Sequence, residues 1–126
     1  MVAADLRRYA AQARSTETFG RVLCRCRDHH FVVDGPVWNG CPGEAVTPGE
    51  LFLAGVASCG VELIHVIARE QDVGLSRVGV SVQGTIDRTR PARADLALFN
   101  SVRLDFELEG VSEQEAGQLV EAFKGR

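Results

Sequence analysis

The sequence lacks an excess of charge of either sign. Its 14 Lys and Arg against 17 Asp and Glu give a formal net charge of -3, the pI is about 5.6, and the two signs are interspersed. There is accordingly no basic footprint for nucleic acid and no polybasic patch for anionic lipid; a small molecule or another protein is the expected partner. The first residues, MVAADLRRYAAQARS, carry charges within an Ala-rich segment and no continuous apolar core, so they do not form a secretory leader and a cytoplasmic protein is expected. No unbroken apolar run reaches the roughly 20 residues needed to cross a bilayer, because Ser58, Glu62 and His65 interrupt the greasiest stretch and Gly55 and Gly60 weaken it; no membrane span is expected. The cysteines Cys24, Cys26, Cys41 and Cys59 do not form a Cys-x-x-Cys knuckle, so a zinc site drawn from them with His29 or His30 has poor spacing. A reducing compartment would keep them as thiols. Repeats and low-complexity tracts are also missing.

What is present is organised around one stretch, residues 47–71, TPGELFLAGVASCGVELIHVIAREQ. Thr47 as N-cap, Pro48 at the first helical position and Glu50 three residues after the cap predict the start of a long helix. From Leu51 to Ala68 almost every side chain is apolar or small, which predicts a helix buried on all sides, in a core or an interface. Glu62 and His65 follow Cys59 at helical spacing. Glu62 is expected to pair with Arg69 at the wet end, and His65 to be a satisfied, partly buried histidine.

Around this helix, residues 1–14 have high helix propensity with Leu6, Tyr9 and Ala10 at helical spacing, and predict a short amphipathic helix. Residues 19–26 alternate as a strand, Arg27-Asp28 reads as a turn, residues 30–33 as a second strand, and Asp34-Gly35-Pro36 as its end. Residues 36–46 are a loop rich in Gly and Pro, with Trp38 either anchoring it or covering a pocket. Val78, Val80 and Val82 mark a third strand; Val102, Leu104, Phe106 and Leu108 mark a fourth over residues 101–109. Ser112 and Glu115 cap a last helix with Leu119, Val120 and Phe123 on its apolar face. Strand pairs separated by one hydrophobic helix predict a single α+β domain over residues 1–126, two layers deep, with antiparallel sheet packed on the central helix. Four strands and two small helices are little cover for so apolar a helix, so a homodimer that buries the helix and Cys59 near its interface is expected.

A cysteine in mid-helix is by frequency an inert small hydrophobe. Cys59 stands about three turns from the helix start, beyond the reach of the dipole, and Glu62 disfavours a thiolate beside it. A reactive Cys59 would therefore need a cation from elsewhere, with Arg21 or Arg25 as candidates.

The string PGELFLAGVASC, preceded by HHFVVDGP and a Gly-rich loop and followed by GVELIHVIA, resembles the OsmC/Ohr family of bacterial hydroperoxide-stress proteins over roughly residues 19–124. The resemblance implies an intertwined α+β homodimer and a thiol peroxidase of oxidative-stress defence. In it Cys59 is the peroxidatic residue, Arg21 a loose match for the activating arginine, an organic hydroperoxide the substrate and an external dithiol the reductant, with no metal or cofactor. Where the family has a glutamate ten residues before the nucleophile this chain has Gly49, and Glu50 is the nearest carboxylate, nine before. No residue up to Arg126 matches the family's second, resolving cysteine, which follows the last helix. A ligand-binding or stress protein of the same fold without turnover is the alternative reading.

Overall fold

Alternating side chains and two capping boxes leave the backbone few choices, and the fold follows them. The structure, a computed structural model, describes residues 5–95 and 99–125. Its elements are β1 (Gln12–Ser15), β2 (Arg21–Cys26), β3 (His29–Asp34), a 3-10 turn (Val37–Asn39), α1 (Pro48–Glu70), β4 (Arg77–Thr85), β5 (Ser101–Glu109) and α2 (Glu113–Lys124). Two compact units divide the chain, Met1–Leu51 and Phe52–Arg126.

In the first unit β1, β2 and β3 form an antiparallel sheet in that order. The two-residue turn at Arg27-Asp28 sets the β2–β3 register, pairing Cys26 with His29 and, at the far end, Arg21 with Asp34; Arg27 takes the left-handed backbone, φ 55°, that so short a turn demands. One sheet face carries Val22, Cys24, Phe31 and the buried Val33, the other Leu23, Arg25, His30 and Val32. The segment expected to open the chain as a helix does otherwise. Residues 1–4 lie outside the described part, residues 5–11 have no regular structure, and residues 12–15 are strand β1. A helix of about a dozen residues is marginal without a face to bury, and here every position from 5 to 15 is exposed. Hydrogen bonding to the edge of β2 outweighs local propensity.

In the second unit β4 and β5 form a nine-residue antiparallel hairpin in full register, from Arg77 opposite Glu109 to Thr85 opposite Ser101. The inward side chains of the two strands meet α1 and α2 in one core. Ile64, Ile67 and Ala68 of α1 and Leu119 of α2 are buried, packed against Val78, Phe106, Leu108 and Phe123. Phe106 and Phe123 meet edge to face with centroids 5.3 Å apart. Gly60 explains itself here. A Cβ at that position would lie 3.3 Å from Val80, so the glycine that weakens the helix is what lets α1 approach the strands. α2 begins with a capping box in which Ser112 accepts from the Glu115 N–H and Glu115 from the Ser112 N–H.

α1 differs from expectation in one respect. With 23 residues and a mean hydropathy of 2.0 over its most apolar window it is long and apolar enough, by length and composition, to cross a membrane, yet only 22% of that window is buried. The buried arc holds Gly60, Ile64, Ile67 and Ala68. The opposite arc is open, because a two-stranded hairpin and one short helix can cover a single side of a helix.

Replacing Ile64 or Leu119, both fully buried, by Ala should lower unfolding free energy by about 2–5 kcal/mol. Ser112→Ala should cost about 0.5–2 kcal/mol through the lost cap. Urea titration followed by far-UV circular dichroism measures both, and core variants as stable as the parent would show that this cluster is not the core.

Candidate functional site

Helical rotation of about 100° per residue puts Phe52, Gly55, Cys59 and Glu62 on one side of α1, and all four are exposed. Cys59 is a free cysteine, so the burial expected for its thiol is not met within one chain. Its own helix has turned it away from the core that Gly60 and Ile64 enter. The surround is apolar on the N-terminal side: Phe52 is 56% exposed and stacks on Phe99 with centroids 5.6 Å apart. Ser58 beside it donates to the carbonyls of Ala54 (2.8 Å) and Gly55 (3.1 Å), so its hydroxyl proton is committed to the helix backbone. His65 and Arg69 are exposed too. The Glu62–Arg69 ion pair is not among the ion pairs of the described residues; two full turns separate these residues, about twice the Cβ spacing at which helical pairs form.

Arg21 is held in the first unit by a different chemistry. Its Nε donates to Asp34 Oδ1 (2.8 Å) and its Nη2 to Asp34 Oδ2 (2.9 Å), a bidentate pair, and Nη2 also reaches Glu44 Oε1 (3.2 Å). Asp34 is fully buried. Its Oδ2 accepts the backbone N–H groups of Glu44 and Ala45 as well, each at 2.9 Å, so every strong demand of a buried carboxylate is met. The Arg21 hydrogen bonds hold the Asp34 carboxyl far below the usual carboxylate range, against the opposing effect of burial. Asp34, in the first place, and Glu44 raise Arg21 above its already high value. Among the described residues Nη1 of Arg21 makes no hydrogen bond, which leaves one edge of the guanidinium open.

Glu50 caps the helix as the spacing predicts. It accepts from the Thr47 N–H (3.0 Å) and hydroxyl (2.8 Å), and these bonds, the backbone one first, lower its carboxyl from the ordinary value. Cys24 pairs in register with Phe31, and Cys26 with His29. Cys41 occupies a socket between two glycines: a Cβ on Gly20 or on Gly35 would collide with its Sγ. No group of three metal-ligating side chains occurs among the described residues. Trp38 is 81% exposed, so it does not anchor its loop. The residue sequence reasoning missed is Asp34, read as part of a turn. The signal was available, since a two-residue turn at Arg27-Asp28 obliges position 34 to face position 21 across the hairpin.

Two helices on antiparallel sheet, with the long helix carrying an exposed thiol, define a known α+β class. The family model described as "OsmC-like protein" matches residues 41–126. The chain therefore belongs to the OsmC-like protein family. Among solved structures it is similar to an OsmC-like protein from Mycoplasma pneumoniae, with a TM-score of 0.80 at 17% identity over 95% of this chain and 82% of that one. It is similar also to an organic hydroperoxide resistance protein from Legionella pneumophila, with a TM-score of 0.73 at 24% identity over 95% and 84%. A third, an organic hydroperoxide resistance protein from Elizabethkingia anophelis, gives 0.74 at 19% over 96% and 84%. No curated protein matches.

The Asp34 network carries a pH dependence. Because its folded value is depressed, the stability it contributes is fully present above the unfolded value of about 3.9 and is lost as pH falls further. Acid unfolding of the parent should steepen below about pH 4, and Asp34→Asn should be less stable at neutral pH with a flatter acid limb. Equal acid limbs in denaturant titrations would show that Asp34 is not linked to folding.

Proposed function

We propose that this protein is a cytoplasmic thiol peroxidase that reduces organic hydroperoxides, with Cys59 as the peroxidatic residue. The observation that carries the reading is the position of Cys59, exposed on the central helix α1 and inside the segment that matches the OsmC-like model. Support comes from the fold it has in common with proteins described as organic hydroperoxide resistance proteins.

The Cys59 thiolate attacks the distal oxygen of R–O–O–H. The S–O bond forms as the O–O bond breaks, and the departing alkoxide takes a proton to leave as the alcohol, with sulfur oxidised by two electrons to the sulfenic acid. An external dithiol then condenses with the sulfenic acid, releasing water, and its second thiol frees Cys59 by exchange, leaving the reductant as a disulfide. Sulfur chemistry alone closes the cycle, so no cofactor enters it. Apolar surroundings such as Phe52 suit an alkyl-bearing substrate.

The family resemblance assigns activation of the thiolate to Arg21, whose Nη1 makes no hydrogen bond among the described residues, and offers Glu50, which caps α1, as a further carboxylate. A second copy of the chain covers the open apolar arc of α1, making one domain of residues 1–126 into a homodimer.

Cys59→Ser should abolish consumption of cumene hydroperoxide in the presence of dithiothreitol while leaving the circular dichroism unchanged, as followed by stopped-flow loss of peroxide. Arg21→Ala should slow alkylation of Cys59 by iodoacetamide at neutral pH. Sedimentation velocity should give twice the chain mass. Full peroxide turnover by Cys59→Ser would end the peroxidatic assignment, and an unchanged alkylation rate would remove Arg21 from it.

A further inference from the structure

The face of the β1–β2–β3 sheet that carries Leu23 treats its arginines unequally. Arg21, Leu23 and Arg25 alternate onto this face of β2, and the strand register ranks their neighbours in rows: Arg21 opposite Asp34, Leu23 between Arg14 and Val32, Arg25 between Gln12 and His30. Arg21 is neutralised by the buried Asp34. Arg14 and Arg25 form no ion pair with any described carboxylate, although they are diagonal neighbours on adjacent strands, about 7–8 Å apart, where like charges disfavour each other.

Arg25 is nevertheless oriented. Its Nε donates to Gln12 Oε1 at 3.0 Å, which fixes the guanidinium plane with a neutral acceptor and leaves both terminal nitrogens and the whole positive charge unspent. Glutamate at the same position would have fixed the plane equally well and cancelled the charge. Gln12, Arg14, Arg25 and His30, with Ala13 and Leu23, line a concavity of about 370 Å³. Guanidinium groups match the paired oxygens of carboxylates and phosphates, and an imidazole N–H adds a further donor.

We propose that this concavity is a receptor for a small oxyanion, a carboxylate or phosphoryl group held by Arg14, Arg25 and His30, with Gln12 as the residue that orients Arg25 without neutralising it. Any short apolar part of the ligand lies on Leu23. The site is built entirely from residues of the first unit and is independent of the peroxidase reading, so Cys59→Ser should leave it intact.

Titration of the full-length protein with inorganic phosphate, and separately with butyrate, followed by backbone amide shifts of Leu23, Arg25 and His30 at constant ionic strength, tests this. Saturable shifts confined to these strands are expected for at least one anion, and which anion saturates distinguishes a phosphoryl from a carboxylate ligand. Gln12→Glu, nearly isosteric and able to keep the bond to Arg25, should weaken binding at least tenfold, as should Arg25→Gln; circular dichroism and the urea midpoint check that each variant is folded. Shifts that track ionic strength without saturating for both anions, or binding that Gln12→Glu leaves unchanged, would overturn the proposal.

Discussion

One arc of α1 must be dry, and the second unit is arranged to make it so. Ile64, Ile67 and Ala68 meet Leu119 there, the hairpin of β4 and β5 closes over them, and Gly60 removes the side chain that would hold Val80 off. With the helix rotation fixed by that packing, Cys59 has no freedom left about the helix axis. It is presented outward with Phe52 and Gly55 because Gly60 and Ile64 point inward. The chemistry proposed for the thiol therefore depends on residues that never touch it, through the phase of a helix rather than through any contact.

The first unit rests on a polar constraint. A carboxylate with no exposure is tolerable only when its lone pairs are filled, and Asp34 fills them with Arg21 and with two backbone amides of the loop that leads to α1. The same sheet face shows the opposite solution at Arg25, where a neutral amide holds the guanidinium and the charge stays available. Two arginines four residues apart on one strand are thus set to different tasks by what faces them, which residue type alone does not disclose.

Much of this was legible in the chain. Thr47 and Glu50, Ser112 and Glu115 announced both helices, and the alternation from Val102 to Leu108 announced β5 to the residue, because caps and strand periodicity are local signals. The N-terminal segment misled because its Ala-rich composition favours helix while its actual partner, the edge of β2, lies 7 to 13 residues away in sequence. The exposure of Cys59 within one chain was not legible for a related reason: hydropathy shows that α1 is apolar all round, but which arc a single chain covers depends on how many layers that chain supplies. Asp34 was hidden in plain view, since Asp-Gly-Pro reads as a turn and its burial follows only from pairing register.

That register ties electrostatics to chain length. Because positions 21 and 34 meet by counting outward from the Arg27-Asp28 turn, inserting or deleting one residue in the turn would slide the strands by a step and turn one partner onto the opposite face. The guanidinium would then face a glycine or a valine, and the carboxylate would be stranded. Length variation at this hairpin tip is therefore expected to be far less tolerated than its exposed, charged residues suggest, and homologues that differ there should have moved or dropped the buried acid as well.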